Sequence, residues 1–401
     1  MKDRIILHID MNSYFASVEQ QANPFLRGKS VGVCAYLSDN GTIIASSREA
    51  KEKGIKTGCK VGQAKALDPN VILLENEPAK YRSTTEKIFK ILGDYTDTLE
   101  PYSIDEAFLD LTGWVENLEE ARVLALKIQS RIKKEVGEWM HSSVGISTTK
   151  FLAKFAGDIA PKKSILVIDK NNMNSILKKR KLTDAWGINV KTEEKLKLLG
   201  IKNLLELKNY KPDSIKRFMG MNGYYLWANL NGIEVSSINQ GSRQVKSIGH
   251  SYSLKEGHSD KEYLLKVIYK LCEKTGRRLR LMNMEAGSLS LGITYFYGQS
   301  MRRSFKTKES LFRTEDIFLN VESVFLEQNI NLPIKNLAIS VSRLSPNSNQ
   351  MSFFENNIDK KNLSLALDKI NNKYGEYTVV PGQMFGMSGV AQDRIGFRKA
   401  V

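Results

Sequence analysis

The stretch YSIDEAFLDLTG, residues 102–113, decides how the rest of the chain is read. It alternates with the period of a strand, with Phe108, Asp110 and Thr112 on one face and Leu109, Leu111 and Gly113 on the other. Asp105 and Glu106 stand side by side at its head. Adjacent carboxylates repel each other and resist burial, so a strand that opens on them needs a reason to do so.

Asp10 supplies the reason. It ends RIILHID, residues 4–10, which reads as a second buried strand. If the two strands pair, Asp10, Asp105 and Glu106 meet at one end of a sheet. Magnesium takes hard oxygen ligands and keeps positions open for phosphate. Two such ions, about 3.5–4 Å apart, activate a hydroxyl and steady a leaving pyrophosphate. A backbone carbonyl in the bend at Met11 is a further candidate ligand. Taken singly, each acid is more simply a strand-end or turn residue; together, and amid basic partners, they read as a metal site.

The basic partners come in helical pairs. Arg48 and Lys51 are three apart in a helix that follows a strand, and Lys150 and Lys154 are four apart at another helix start. Both pairs suit a triphosphate carried on metals. Without the acids they would read as a solvated face. His8, between apolar neighbours, reads as a packed core residue.

The whole chain agrees with an anionic partner. Its 401 residues carry 60 Lys and Arg against 44 Asp and Glu, a formal charge of +16. Cys34, Cys59 and Cys272 have neither disulfide nor zinc spacing. No apolar run approaches the ~20 residues of a membrane span, and the N-terminus lacks the apolar core of a signal peptide. The expectation is a cytoplasmic protein with no membrane association.

The coarse element order up to residue 165 is mixed, an α+β sheet domain with a small insertion near 23–75. In it, Asn12 or Ser13 caps the first helix. LTDAWGINVKTEEKLKLLGI, residues 182–201, reads as two helical segments joined at WGINV, with Gly187 and Gly200 as punctuation. Such a hairpin presents amides to phosphate. SSINQGSRQ, 236–244, reads as linker. Beyond it the order is β-α-β-β-α-β, with one open sheet face. Its first helix buries Leu264, Ile268, Leu271, Thr275 and Leu279, and Thr314 caps its second. Arg277, Arg278, Arg302, Arg303, Lys306 and Lys308 give this module a basic rim for a nucleic-acid backbone.

DMNSYFASVE (10–19), ASSREAKEKGI (45–55), YSIDEAFLDLTG (102–113), SVGISTTKFLAKFAGD (143–158) and KSIGHSYSL (246–254) resemble, in order and spacing, the Y-family translesion DNA polymerases. The similarity runs over about residues 1–345 and points to the bacterial branch that includes DNA polymerase IV and the catalytic subunit of DNA polymerase V. It implies an α+β right-hand polymerase: palm 1–22 and 76–165, fingers 23–75, a helical thumb with the hairpin at 166–232, a linker at 233–244, a β-α-β-β-α-β little finger at 245–345 and a tail at 346–401. Asp10, Asp105 and Glu106 match the metal-binding acids, and Met11 the residue lending its carbonyl to one of two Mg2+ ions. Phe15 matches the steric gate against a 2′-hydroxyl; its ordinary alternative is a core aromatic. Tyr14 matches an aromatic near the nucleotide, and Lys154 the palm lysine that reaches the phosphates.

The chain also departs from the family. Relatives carry Tyr and Arg where it has Arg48 and Lys51, and Asn12 replaces an acid seen in some members. Gln350, Met351, Ser352, Phe353 and Phe354 (QMSFF) resemble the sliding-clamp-binding pentapeptide. The implied partners are primer–template DNA, deoxynucleoside triphosphates and a sliding clamp, for a protein acting as a monomer by low-fidelity nucleotidyl transfer past damaged bases. Two rivals share parts of this pattern. A palm-type nucleotidyl cyclase needs the acids but has no use for the hairpin or the basic module. A DNA-binding subunit with a degenerate palm would not need the acids.

Overall fold

Each face of the strand Ile6–Met11 is committed by its alternation. Leu7 and Ile9 point into one apolar cluster, while Ile6, His8 and Asp10 point the other way. The computed structural model describes residues 4–238, 245–328, 330, 332–347 and 357–393. It divides into two units, Met1–Gly241 with Arg394–Val401, and Ser242–Asp393.

The first unit begins with β1 (Ile6–Met11) and α1 (Tyr14–Ala22). A small subdomain follows: β2 (Val31–Cys34), β3 (Ile43–Ser46), α2 (Arg48–Glu52), α3 (Val61–Leu67) and β4 (Ile72–Glu75), in sheet order β3-β2-β4. Then come α4 (Pro78–Gly93), β5 (Leu99–Pro101), β6 (Glu106–Asp110), α5 (Leu118–Glu135), β7 (Ser142–Ser147), α6 (Lys150–Ile159) and β8 (Ile165–Val167). The main sheet runs β5-β6-β1-β7-β8, so β1 is central and pairs antiparallel with both β6 and β7. Leu7, Ile9, Ala107, Leu109, Val144 and Ile146 fill the core on one face, under Ile88, Leu92, Ala125 and Ile128 of α4 and α5.

The other face is low, and this decides where α6 lies. On β7 it carries Ser143, Gly145 and Ser147 beside His8 and Asp10. A Cβ on Gly145 would fall 2.1 Å from the Ala153 carbonyl oxygen and 2.1 Å from the Gly157 nitrogen, so the α6 backbone rests directly on the sheet. Thr149 caps α6 by accepting from the Leu152 N–H.

The helical remainder of this unit is α7 (Met173–Lys178), α8 (Val190–Leu198), α9 (Leu204–Asn209) and α10 (Pro212–Leu230). The hairpin expected at 182–201 is lopsided: its first arm is only a 3-10 turn, Leu182–Asp184, and its second arm, α8, ends at Leu198, with Gly200 turning the chain just beyond it. The apolar content of 182–188 is consumed in docking, with Leu182, Ala185 and Ile188 buried beside Phe151 and Phe155, so it does not extend a helix.

The second unit contains β9 (Ser247–His258), α11 (Lys261–Leu281), β10 (Met284–Tyr295), β11 (Ser300–Leu311), α12 (Thr314–Leu326), β12 (Ile334–Pro346) and α13 (Asn357–Tyr374). The sheet order is β11-β10-β12-β9. Leu289, Leu291, Ile293, Leu337, Ile339 and Val341 face the helices and are buried, and Leu264, Ile268, Leu271, Thr275 and Leu279 of α11 are buried as the sequence implies. The opposite face is lined with small polar residues: Ser247, Gly249, Ser251, Ser253, Ser340, Ser342, Ser288, Ser290 and Ser304 lie in register across it, with Arg302 and Lys306 on the edge strand.

Several sequence expectations fail here for stated reasons. Thr314 lies inside the first turn of α12, not at its cap; Arg313 occupies that position, and the Thr314 hydroxyl is taken by Arg280 and Glu273 of α11. Arg277 is not on the rim. It is buried on α11, where its guanidinium donates to Asn372 of α13 at 2.6 Å. The tail, for which the sequence offers no role, forms α13 and packs on α11. Arg280 makes a two-pronged pair with Asp368 at 2.6 and 3.0 Å, and Lys270 and Lys274 donate to the carbonyls of Met387 and Ala391. QMSFF, 350–354, lies outside the described residues.

Candidate active site

The β1–β6 ladder pairs Asp10 with Glu106, and the Met11 N–H donates to the Asp105 carbonyl at 3.0 Å. Register therefore brings the three acids to one sheet end. Their electrostatics show the crowding. Burial, then Asp105 and Glu106, push the Asp10 carboxyl up to about 7. Burial raises Asp105 to about 6, with Glu106 adding to it and the Ser103 hydroxyl opposing. Glu106 goes the other way, to about 2: burial would raise it, but the His8 hydrogen bond and Lys154 outweigh that.

The side chains do not yet close on a common point. Among the described residues no group of three His, Cys, Asp or Glu side chains is set to hold a metal ion. The expected convergence is thus one of backbone positions, and mutual repulsion explains the rest. The Glu106 Oε2 accepts from Lys154 Nζ at 2.7 Å and from His8 Nε2 at 3.3 Å, while Asp105 Oδ1 accepts from Ser103 Oγ at 2.5 Å. The donor set nevertheless fits a hard divalent cation. It consists of carboxylate oxygens, and the upward shifts of Asp10 and Asp105 are the signature of negative charge that a cation would relieve.

The basic residues separate into those at the site and those elsewhere. Lys51 Nζ donates to Ser13 Oγ at 2.7 Å and lies in the field of Asp10 and Lys162; burial, then Lys162, lower its pKa. Arg48 turns away: its side chain is 75% exposed and pairs with Glu52 at 2.8 Å. The two side chains take different partners here, Glu52 for Arg48 and Ser13 for Lys51. Lys150 also departs from expectation. It is buried, bonded to Glu100 Oε2 at 2.5 Å and set over the Phe108 ring, so it braces β5 against α6. Lys154 is at the site but holds Glu106, and Asp158 at 3.5 Å.

Ser13 takes the N-cap position of α1 in a left-handed backbone (φ 50°) without a side-chain cap bond, since its hydroxyl faces Lys51. Asn12 does not cap either. Its amide donates to Ser143 Oγ at 2.9 Å and its oxygen accepts from the Lys163 N–H at 2.9 Å. That anchors the loop after α6 and sets Lys162 in the field of Asp10. Tyr14 and Phe15 are both enclosed. The Tyr14 hydroxyl donates to the Tyr81 carbonyl at 2.9 Å, and the Phe15 ring, 0% exposed, lies 4.7 Å from the Tyr81 ring.

Sequence reasoning missed His8, Ser103 and Lys162 as neighbours of the acids. For Lys162 a signal existed, a lysine pair in PKKS directly after the helix that carries Lys154. Ser103 precedes Asp105 by two, the spacing of a local hydroxyl–carboxylate bond. Nothing in the sequence distinguishes His8 from an apolar core position.

Comparisons with known proteins agree on the family. The impB/mucB/samB family matches residues 9–158, and its C-terminal domain matches residues 245–353. DNA polymerase IV 1 of Bacillus subtilis is 35% identical over 388 residues, covering 95% of this chain and 93% of that protein. DNA polymerase IV of Bacillus velezensis is 32% identical over the same shares. A solved Y-family DNA polymerase chimera superposes with a TM-score of 0.75 at 23% identity, covering 86% of this chain and all of the other, and shares its fold. With both halves of the sequence matched to the family and relatives more than 30% identical along nearly the whole chain, this chain belongs to the Y family of translesion DNA polymerases.

Proposed function

We propose that this chain extends a primer on a DNA template, damaged bases included, by transferring deoxynucleotides at the Asp10–Asp105–Glu106 end of the main sheet. It is a DNA-directed DNA polymerase, as its relatives named DNA polymerase IV are. The observation that carries the siting is the facing of Asp10 and Glu106 across one ladder, with Asp105 adjacent and raised carboxyl pKa values on two of the three.

The assignments follow from chemistry. Asp10, the Met11 carbonyl, Asp105 and Glu106 would hold the divalent metal, read here as two magnesium ions. When bound, these would lower the pKa of the primer 3′-hydroxyl and take up charge on the pyrophosphate. Lys51 and the exposed Lys162, which share the field of Asp10, bind the triphosphate as point charges. Lys154 keeps Glu106 ionised and in place. Phe15 and Tyr14 form the wall below the sugar, Phe15 as the gate. Residues 1–22 and 76–165 act as palm, 23–75 as fingers, 166–232 as thumb and 245–345 as little finger. The serine-lined face of the second unit, with Arg302 and Lys306, suits a DNA backbone because it is rich in hydroxyl and cationic donors.

QMSFF is assigned to a sliding clamp on its sequence alone. The protein works as a monomer in the cytoplasm on this reading, and no helix among the described residues is long and apolar enough to cross a membrane. Primer extension by the wild type and by Asp105→Ala tests the proposal. The wild type should extend past an undamaged and a damaged template base, and the variant should lose at least about a hundredfold in rate. Equal inertness of both would remove the polymerase assignment, and cyclic product from one triphosphate without DNA would favour a cyclase.

A further inference from the structure

His8 is fully buried in the centre of β1, two residues before Asp10, and its ring has one polar contact, to Glu106. Its other nitrogen, Nδ1, meets no partner among the described residues. Gly157 of α6 covers that side so tightly that a Cβ there would come within 2.7 Å of Nδ1, and Phe108 packs on the ring with centroids 4.7 Å apart. A buried nitrogen without a partner destabilises the fold. An aliphatic or phenyl side chain would fill this space without that cost. What the imidazole adds is a donor at Nε2. Nε2 lies 3.3 Å from a carboxylate oxygen that serves as an acceptor, so the ring nitrogen facing Glu106 is the donor.

The second observation is where the bond lands. His8 Nε2 and Lys154 Nζ both donate to the same oxygen, Oε2 of Glu106, at 3.3 and 2.7 Å. No donor among the described residues meets Oε1. One lysine on a carboxylate leaves it free to swivel about its terminal torsion. Two donors that arrive from different elements, β1 and α6, fix its plane. Resting on the polymerase reading of the site, we infer that His8 is a positioning residue, which together with Lys154 occupies Oε2 of Glu106 and so orients Oε1 toward the catalytic cation. His8 does not touch the cation itself, because its lone pair is sealed under Gly157. Outer-shell partners of a ligating carboxylate typically contribute 10–100-fold in metal affinity, and the 3.3 Å bond puts His8 near the lower end.

The test uses the full-length protein on a primer–template with a dideoxy-terminated primer and the matching deoxynucleotide, so that no turnover occurs. Manganese binding is titrated by electron paramagnetic resonance, and folding is followed by thermal melting. His8→Phe keeps the ring and removes the donor, so it should weaken Mn2+ binding about tenfold. His8→Gln, whose Nε2 mimics the lost donor, should stay within about threefold of the wild type. In a Glu106→Gln background, His8→Phe should produce no additional loss. Should the phenylalanine not be accommodated, His8→Asn, whose amide falls short of Glu106, carries the same expected loss. Wild-type affinity in folded His8→Phe overturns the proposal. So does a His8→Gln as weak as His8→Phe, or a loss that persists undiminished without Glu106. Primer extension by the wild type beside unchanged metal affinity in the variant overturns this inference alone; a wild type with neither extension nor a Mn2+ site overturns the polymerase reading with it.

Discussion

Asp10 and Glu106 face each other across the β1–β6 ladder and ionise at opposite ends of the carboxylate range, about 7 and about 2. The difference is one of partners. Glu106 has taken His8 and Lys154, and Asp10 is left buried with the charge of its neighbours.

The pH dependence of stability should therefore carry the mark of Asp10. Its folded pKa lies above the ordinary value, so the folded chain holds that proton more tightly than the unfolded chain does. The contribution is fully present below about pH 4 and is lost as pH rises through about 7, with Asp105 acting in the same sense up to about 6. In chelator-containing buffer, Asp10→Asn should gain stability over the wild type at pH 8, on the order of 2 kcal/mol, and little at pH 4. Urea unfolding at the two pH values measures it, and an equal difference at both would rule out the buried charge as the cause.

The fold was legible because its signals are repetitive and local. Alternation in YSIDEAFLDLTG and RIILHID, the regular order after residue 244 and the apolar face of α11 all appear as elements. Legibility stopped where one side chain's fate depends on a distant one. Arg48 and Lys51 look equivalent in a helix, yet Glu52 captures the first and Ser13 the second. Lys150 and Lys154 look equivalent too, but Glu100 on β5 claims Lys150. Arg277 and Arg278 look like a basic rim until α13 covers the first. Single-sequence charge patterns give the sign of a face and not the address of each residue.

Lys51 gives a direct comparison. Lys51→Ala should raise the apparent KM for the incoming nucleotide roughly tenfold, since one charge-assisted phosphate contact is worth about 1.5 kcal/mol. Arg48→Ala, at an exposed residue paired with Glu52, should change it less than about twofold. Steady-state single-nucleotide insertion separates them. Equal effects, or a larger effect at Arg48, would reassign the triphosphate contact.

Phe15 is both the proposed gate and a core ring packed on Tyr81, so its removal should register twice. Phe15→Ala should cost about 3–5 kcal/mol of stability and let ribonucleotides in, with the preference for deoxynucleotides falling at least tenfold. Phe15→Leu keeps more of the packing and separates the two effects. A folded variant with unchanged sugar discrimination would leave Phe15 as a core residue only.

The tail offers the last test, on the second unit alone. Arg280 and Asp368 are almost fully buried and joined by two hydrogen bonds, at 2.6 and 3.0 Å, which tie α13 to α11. Breaking such a pair by removing one partner strands the other charge away from water, at about 3–5 kcal/mol. Asp368→Ala should thus release α13, because its other polar ties, Arg277 to Asn372 and Lys361 to Glu285 and Asn347, lie toward its two ends. Hydrogen exchange on the full chain should show amides of 359–374 exposed in the variant, while α11, held by the sheet through Leu264, Ile268 and Leu271, stays protected. Replacing both partners, Arg280→Met with Asp368→Leu, should restore much of the protection, since the two most deeply buried charges go together and Glu273, which loses Arg280, keeps the Thr314 hydroxyl. Unaltered exchange in Asp368→Ala would mean that the apolar contacts of Met384 and Met387, not the ion pair, hold the tail in place.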